Sequence, residues 1–492
     1  MKRKGISLLL LAAMAVTVLA ACGGEAGPET PAAETQPAVT SEEAVETTAP
    51  PEYAAPDVDY EGREFKFSAW FTDSPNWVAT SYCEAIPGEQ NGDIINDAIY
   101  MRARDTEEAL GVTVVGTPWK ASADITKPAL AGDHFADTVL VGGGTAKTLL
   151  NQNLLIDLKT IDTLDLSKSW WDQGSVDGFS IGGKLYFAAG EIGTFGNLAV
   201  FCSYYNKGMG ENYNLENPYE MVRNGVWTID KMREMATVVA RDVNGDGTMG
   251  KVDVFGYESE PGIGIVLLRS GGVKVTTKDK NDLPALTVNT ERAASLVDKF
   301  VPLCRDKAIT LYSQDFSSGY KNVFRQFITE KFIADELLFV NNWLCVALEL
   351  RNMDSDFGIL PPAKFDEQQD DYIVPSSESW TNYAAVLITE TDTDFTGYVM
   401  DALGHFGKEH IYTALIETTI TNKALRDTDT EEMLDIIYNK RSYDLAALYD
   451  WGGIYSLPNT LISDNSTDFA SAVAKIEAKV TAAIQETIDA LK

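Results

Sequence analysis

Along this chain, stretches of period-two alternation repeatedly give way to stretches of helical spacing. Glu64 to Trp70 alternates polar and apolar positions and predicts a strand. Asp93 to Leu110 places Ile94, Ile95, Ala98, Met101, Ala109 and Leu110 at helical intervals, and Gly111 closes that helix. Val112 to Val115 predicts a second strand and Asp137 to Val141 a third. The turn Gly142-Gly143-Gly144-Thr145 follows, and then a helix from Ala146 to Gln152. Strands alternating with helices argue for βαβ units and a mostly parallel sheet. In open α/β sheets, ligands sit beyond the carboxyl ends of the strands. That rule marks Trp70 and the Gly142–Thr145 turn as a candidate site.

The second half has a different texture. Helical spacing runs over Pro218–Asn224, Thr228–Arg241, Thr290–Cys304, Phe395–Phe406, Thr430–Asn439 and Thr467–Leu491. Phe332–Val340, Asp356–Pro361 and Tyr383–Thr389 are strand-like. Phe332–Leu350 is the richest apolar run of the body, but five acidic or amide residues interrupt it, so it reads as a buried strand leading into a helix. No repeat of solenoid or propeller length is visible.

The amino-terminal segment reads differently. Lys2, Arg3 and Lys4 precede an apolar run of 16 residues, Ile6 to Ala21. A membrane helix needs roughly 20 residues. A basic head, a short apolar run and small residues at its end describe an export signal. Leu19-Ala20-Ala21-Cys22 matches a lipobox, so residues 1–21 are expected to be removed and Cys22 lipidated. The alternative is a plain secretory signal with a chance cysteine. Two or three acyl chains anchor a protein stably where one does not. Gly23 to Pro56 holds six prolines, seven glutamates and no lysine or arginine. Such a stretch buries too little apolar surface to offset ordering entropy, so 22–56 is expected to be a disordered tether.

Composition sharpens the picture. With 73 acidic and 40 basic residues in 492, the formal charge is −33. Removing the signal makes the chain more acidic still. That surface repels phosphate backbones and anionic lipid, which argues against nucleic-acid partners. Three histidines leave little for a histidine-based metal set. His405 and His410 have the wrong spacing for HExxH, and no GxSxG elbow occurs. These absences argue against an enzyme. Gly142–Thr148 lacks the Gly-Lys step of a phosphate loop, because Ala146 precedes Lys147. Cys83, Cys202, Cys304 and Cys345 form no CxxC, and export permits disulfides, but buried free thiols are the favoured reading.

Two chemical signals remain. Asp242, Asn244 and Asp246 place oxygens at positions 1, 3 and 5 of a loop. Gly247 at position 6 permits a sharp turn, Thr248 offers a carbonyl at position 7 and Asp253 stands at position 12. Hard cations take six to eight oxygens, so a structural Ca2+ is expected here. Asp instead of Glu at position 12, and Gly250 at position 9, depart from the pattern; a solvated Asx-rich turn is the alternative. Aromatic residues are the second signal. Trp70, Trp77, Trp119, Trp343, Trp380 and Trp451 lie near predicted strand ends or in loops, where flat faces suit the C–H faces of sugar rings. Each is equally at home in a core.

Taken in order, these residues resemble the extracellular solute-binding proteins of family 1, the sugar-binding lipoproteins of ABC transporters that include maltose-binding proteins. The resemblance rests on the lipobox, Asn96–Arg102, Tyr204–Lys207, Trp227-Thr228, the Asp242–Asp253 loop before Phe255-Gly256-Tyr257, Asp356–Pro361, Arg426-Asp427 and Glu432–Asp435. It implies an α/β, two-lobed periplasmic-binding-protein-like fold with a hinge of crossing strands and an interlobe cleft. Lobe one is expected to hold 57–190 and 334–391, and lobe two 200–333 and 392–492. Relatives contact sugar at positions matched here by Trp70, Gly143, Gly144, Thr145 and Trp343, with Trp380, Tyr383 and Trp451 as looser matches. The implied protein is a monomeric receptor, lipid-anchored at the extracytoplasmic face of the cell membrane, passing a mono- or oligosaccharide to an ABC permease. A surface glycan hydrolase or an adhesion lipoprotein is the competing class.

Overall fold

A computed structural model describes residues 53–73, 84, 88–350, 353–416 and 429–491. Cys22, Trp77, Cys83 and Arg426-Asp427 lie outside the described residues. The strands of the first half are β1 (Arg63–Ala69), β2 (Val112–Gly116), β3 (Thr138–Gly142), β4 (Phe201–Asn206), β5 (Phe255–Ser259), β6 (Thr276–Lys278) and β7 (Pro284–Leu286). Those that follow are β8 (Thr310–Tyr312), β9 (Leu337–Trp343), β10 (Phe357–Leu360), β11 (Val374–Pro375), β12 (Asn382–Ala385) and β13 (Arg441–Ser442). Three helices matter for the site: α1 (Ile94–Leu110), α2 (Ser122–Ala131) and α3 (Gly143–Asn151).

The first sheet has the order β12-β3-β1-β2. β1 runs parallel to β2 and β3, and β12 returns antiparallel to β3. The βαβ expectation thus holds for the first half. Asp93 caps α1 by accepting from the Ile95 and Asn96 amides. Gly111 ends it at φ 65°, where a Cβ would stand 1.9 Å from Asp59 Oδ1. α3 begins three residues earlier than predicted: Gly143 and Gly144 form its first turn rather than a separate loop.

The second sheet has the order β10-β4-β9-β5-β8. β4 lies antiparallel to β10 and β9, and β5 lies parallel to β9 and β8. This corrects the expected division of the chain. β9 and β10, placed in lobe one from the sequence, pair into the second sheet, with Phe201 opposite Trp343. The helix Thr393–Gly407, placed in lobe two, packs on α1. The reason is that long-range pairing, rather than chain order, assigns an element to a sheet.

Three segments run between the sheets and lie side by side. Val200 bridges Ser376, and Ser377 N–H donates to Ala199 O at 2.7 Å. β11 pairs in parallel with β13. A buried ion pair fastens this bundle: Arg269 meets Glu378 at 2.8 Å, donates to Ser442 O, and Glu378 in turn accepts the Asp444 amide. Cys202, Cys304 and Cys345 are buried free thiols. Among the described residues, no helix is long and apolar enough to cross a membrane.

Candidate ligand cleft

The carboxyl ends of the first sheet's parallel strands open into a cavity of about 960 Å³. β1 delivers Trp70, β2 leads to Trp119, and β3 runs into the first turn of α3. Trp70 and Trp119 form a parallel bridge, and the Phe71 amide donates to Trp119 O at 2.8 Å, so both indoles are carried on paired backbone. Trp119 donates its indole N–H to Leu140 O at 3.2 Å, which fixes the ring. Trp380 stands on the turn between the crossing segment and β12, and it is 43% exposed. Phe195 adds a fourth aromatic side chain. From the second sheet's side, Lys321 and Asn322 complete the lining.

Polar groups converge on the same space. Ser122 Oγ and Thr145 Oγ1 lie 2.6 Å apart at the amino ends of α2 and α3. Gly144 has no heavy atom within 4 Å of an added Cβ position, so its backbone faces open cavity. Lys120 pairs with Asp73 beside this rim. Beneath the floor lies Glu84, whose Oε1 accepts the Thr194 and Phe195 amides and whose Oε2 accepts Asn382 Nδ2 at 2.9 Å. Arg102 closes the network by donating to Ile192 O and Glu84 O. Burial raises the Glu84 carboxyl above its ordinary range, against these hydrogen bonds and the Arg102 charge. Glu84 thus positions two residues of the lining.

The structure gathers only part of the predicted set. Trp70, Gly144, Thr145 and Trp380 line the cavity. Gly143 lies just below, where a Cβ would stand 2.1 Å from Glu378 O. Tyr383 is 0% exposed and donates to Glu378 O, so it presents no face to a ligand. Trp451 is buried against Tyr449, with its indole N–H on Thr487 Oγ1. Trp343 stacks edge-on against Phe201 in the second sheet and does not line the cavity. Phe195 and Lys321 escaped the sequence reading of the site, and neither carried a local signal. Trp119 was one of the candidate aromatic residues, but the resemblance did not mark it as a sugar contact.

The Asp242–Asp253 loop lies away from the cavity, between the helix Ile229–Val239 and β5. Its oxygens cap its own backbone: Asp242 accepts from Gly245 and Gly247, Asn244 from Asp246, Asp246 from Thr248, and Asp253 from Val243 and Gly250. The carboxylate oxygens of Asp242, Asp246 and Asp253 do not all lie within 4.8 Å of one another.

No family model matches the chain, and no curated protein matches it in sequence. Its structure is similar to several solved ones. The cyclic α-maltosyl-1,6-maltose binding protein of Arthrobacter globiformis is 13% identical with a TM-score of 0.55, covering 86% of this chain and 100% of that one. A cyclo/maltodextrin-binding protein complexed with maltotetraose is 14% identical, with a TM-score of 0.53 over 88% and 100%. An ABC substrate-binding protein from Listeria monocytogenes in complex with cycloalternan is 13% identical, with a TM-score of 0.52 over 87% and 98%. At such identities the likeness shows the fold, and the fold is the two-lobed α/β architecture of periplasmic binding proteins.

Proposed function

We propose that this protein is a solute receptor that captures an oligosaccharide between its lobes and carries out no chemistry on it. The observation that carries this reading is the cavity itself: Trp70, Trp119, Trp380 and Phe195 beside hydroxyl, amide and ammonium groups at the strand ends. Aromatic faces take the apolar sides of sugar rings, and the polar groups take their hydroxyls. The size supports more than one ring, since pockets for drug-sized ligands span about 300–1,000 Å³ and this one lies near the top. The fold supports it too, because the similar solved structures are named as binding proteins for maltose-type oligosaccharides.

The same reading includes export, a lipid on Cys22 and delivery to an ABC permease. A tether would hold the receptor near its transporter and raise its effective concentration there. A structural Ca2+ at Asp242–Asp253 is part of the proposal as well, supported by the spacing of the loop's oxygens.

The test is calorimetric titration of the signal-free chain with a panel of linear and cyclic maltooligosaccharides and other glycans, followed by product analysis after long incubation. Saturable binding of one class without turnover is expected. Turnover of a bound glycan, or a folded sample that binds none of the panel, would overturn the reading.

A further inference from the structure

At the far edge of the first sheet from the cavity, three potential ligands converge. His134 and Asp137 lie in the turn that joins α2 to β3, and Glu390 lies in the turn after β12. The topology explains the meeting. β12 runs antiparallel to β3, with Ala385 opposite Val139, so the chain leaving β12 emerges beside the chain entering β3. Gly142, at the cavity end of β3, is five residues away, or about 16 Å along the strand.

His134 Nε2 is 2.9 Å from Glu390 Oε2 and 3.4 Å from Asp137 Oδ1. All three ligand atoms fall within 4.8 Å of one another. In a tetrahedral site with metal–ligand distances of about 2.0–2.2 Å, neighbouring ligand atoms stand roughly 3.3–3.6 Å apart. The two histidine–carboxylate separations lie within about half an ångström of that range. Each carboxylate is also fastened through its second oxygen. Asp137 Oδ2 accepts the Lys66 amide at 2.5 Å, and Glu390 Oε1 accepts the Thr391 and Asp392 amides at 2.8 and 2.6 Å. Backbone donors that aim a carboxylate in this way are what a metal site requires of its surroundings. Both carboxylates are buried, whereas the His134 side chain is 37% exposed, which gives an ion a route in and water a place to complete the shell.

Electrostatics favours the same occupant. Two buried carboxylates side by side are relieved by a shared proton or by positive charge, and a divalent ion with a neutral imidazole supplies the charge. We propose that His134, Asp137 and Glu390 bind a divalent transition-metal ion, with zinc as the probe of choice. Imidazole suits such ions, while calcium prefers six to eight oxygens and is not expected here. Bound metal would clip the α2–β3 turn to the turn after β12 and stiffen the first lobe at the edge remote from the cleft.

The test uses the full chain, stripped with a chelator and dialysed into a non-chelating neutral buffer. Calorimetry with zinc chloride, and elemental analysis after desalting, should give one zinc per chain and a raised melting temperature. Calcium chloride should not compete. His134→Ala should abolish uptake and also lose the zinc-induced rise in melting temperature, each variant being compared with its own metal-free form because the imidazole pairs with both carboxylates. Glu390→Gln should weaken binding at least tenfold, the scale on which altered metal sites lose affinity. Asp246→Asn, in the distant acidic loop, should leave zinc uptake unchanged. No zinc uptake by the wild-type chain would overturn the proposal, and so would uptake unaffected by both His134→Ala and Glu390→Gln.

Discussion

Trp380 keeps 43% of its surface in water, while nearly all of Trp170, Trp171 and Trp227 is hidden. An exposed indole at a cavity mouth has apolar area left to bury, and a ligand can bury it. Trp380→Ala should therefore weaken oligosaccharide binding by about 1–3 kcal/mol, roughly five- to 150-fold. Its melting temperature should stay close to wild type, and calorimetry with thermal denaturation separates the two effects. A second residue-scale prediction concerns Glu258, which is 1% exposed and whose Oε1 has no hydrogen-bond partner among the described residues. Burial, and then the neighbouring Glu260 charge, push its carboxyl well above the ordinary range. The folded state thus holds this proton more tightly than the unfolded chain. Its contribution is fully present below the unfolded carboxyl's range near pH 4 and is lost as pH rises towards the folded value. Glu258→Gln should match wild-type stability in acid and exceed it by about 1–3 kcal/mol in mild alkali, as read from urea unfolding at several pH values. An equal gain at every pH would sink the argument. Residues such as Trp70 and Thr145 were legible from sequence because one ends a predicted strand and the other closes the turn after one. Tyr383 and Trp451 were not, since local spacing does not tell a core aromatic from a displayed one. Glu84 and Glu258 were two acids among 73, distinguished only by what folding packs around them.

Elements were legible to the extent that their signals are local. α1 carried its own cap, its apolar face and its terminating glycine. β9 and β10 were found as strands yet assigned to the wrong sheet, because pairing with β4 is a contact across more than a hundred residues. The start of α3 was missed for another reason: glycines disfavour helix interiors, and tertiary contact overrides that preference here. Gly143 has backbone against it, with Glu378 O and Leu448 Cδ2 at 2.1 and 2.7 Å from an added Cβ, whereas Gly144 has open space. Gly143→Ala should accordingly cost about 1–3 kcal/mol or more in thermal unfolding. Gly144→Ala should leave stability unchanged or slightly improved, since alanine favours the helix, but should weaken binding by narrowing the cavity. The acidic loop is the other element whose behaviour can be stated. Its oxygens now cap backbone amides, so calcium would have to draw them inward, and Asp253 offers a shorter reach than glutamate. The expected affinity is the weak range of extracellular modules, about 10⁻⁴–10⁻³ M. Millimolar calcium should raise the melting temperature of wild type and leave Asp246→Asn unmoved; a shift of equal size in both would place the ion elsewhere.

At the scale of the whole molecule, the cleft is lopsided. The first lobe and the crossing segments supply the aromatic side chains, and among the described residues the second lobe reaches the lining only through Lys321 and Asn322. That short segment is held in shape by its own contacts: Gln326 Oε1 accepts the Lys321 and Asn322 amides, and Tyr320 stacks on Phe327. Side by side at the junction run three strand-like crossings, fastened by Arg269 and Glu378. Crossings that lie side by side in this way bend together at a few residues and so permit rigid-body rotation of one lobe against the other. A ligand moves that equilibrium only by touching the closed form more than the open one. Capture would then belong to the first lobe and closure to the contacts made by Lys321 and Asn322. Small-angle scattering should show the wild-type radius of gyration falling when oligosaccharide is added. The double variant Lys321→Ala, Asn322→Ala should still bind, about tenfold more weakly, because the aromatic platform is intact. It should compact much less at saturation, because the differential contact is gone. Full compaction in the double variant would mean that other second-lobe residues close the cleft, and no compaction in wild type would mean that the bound state is already the closed one.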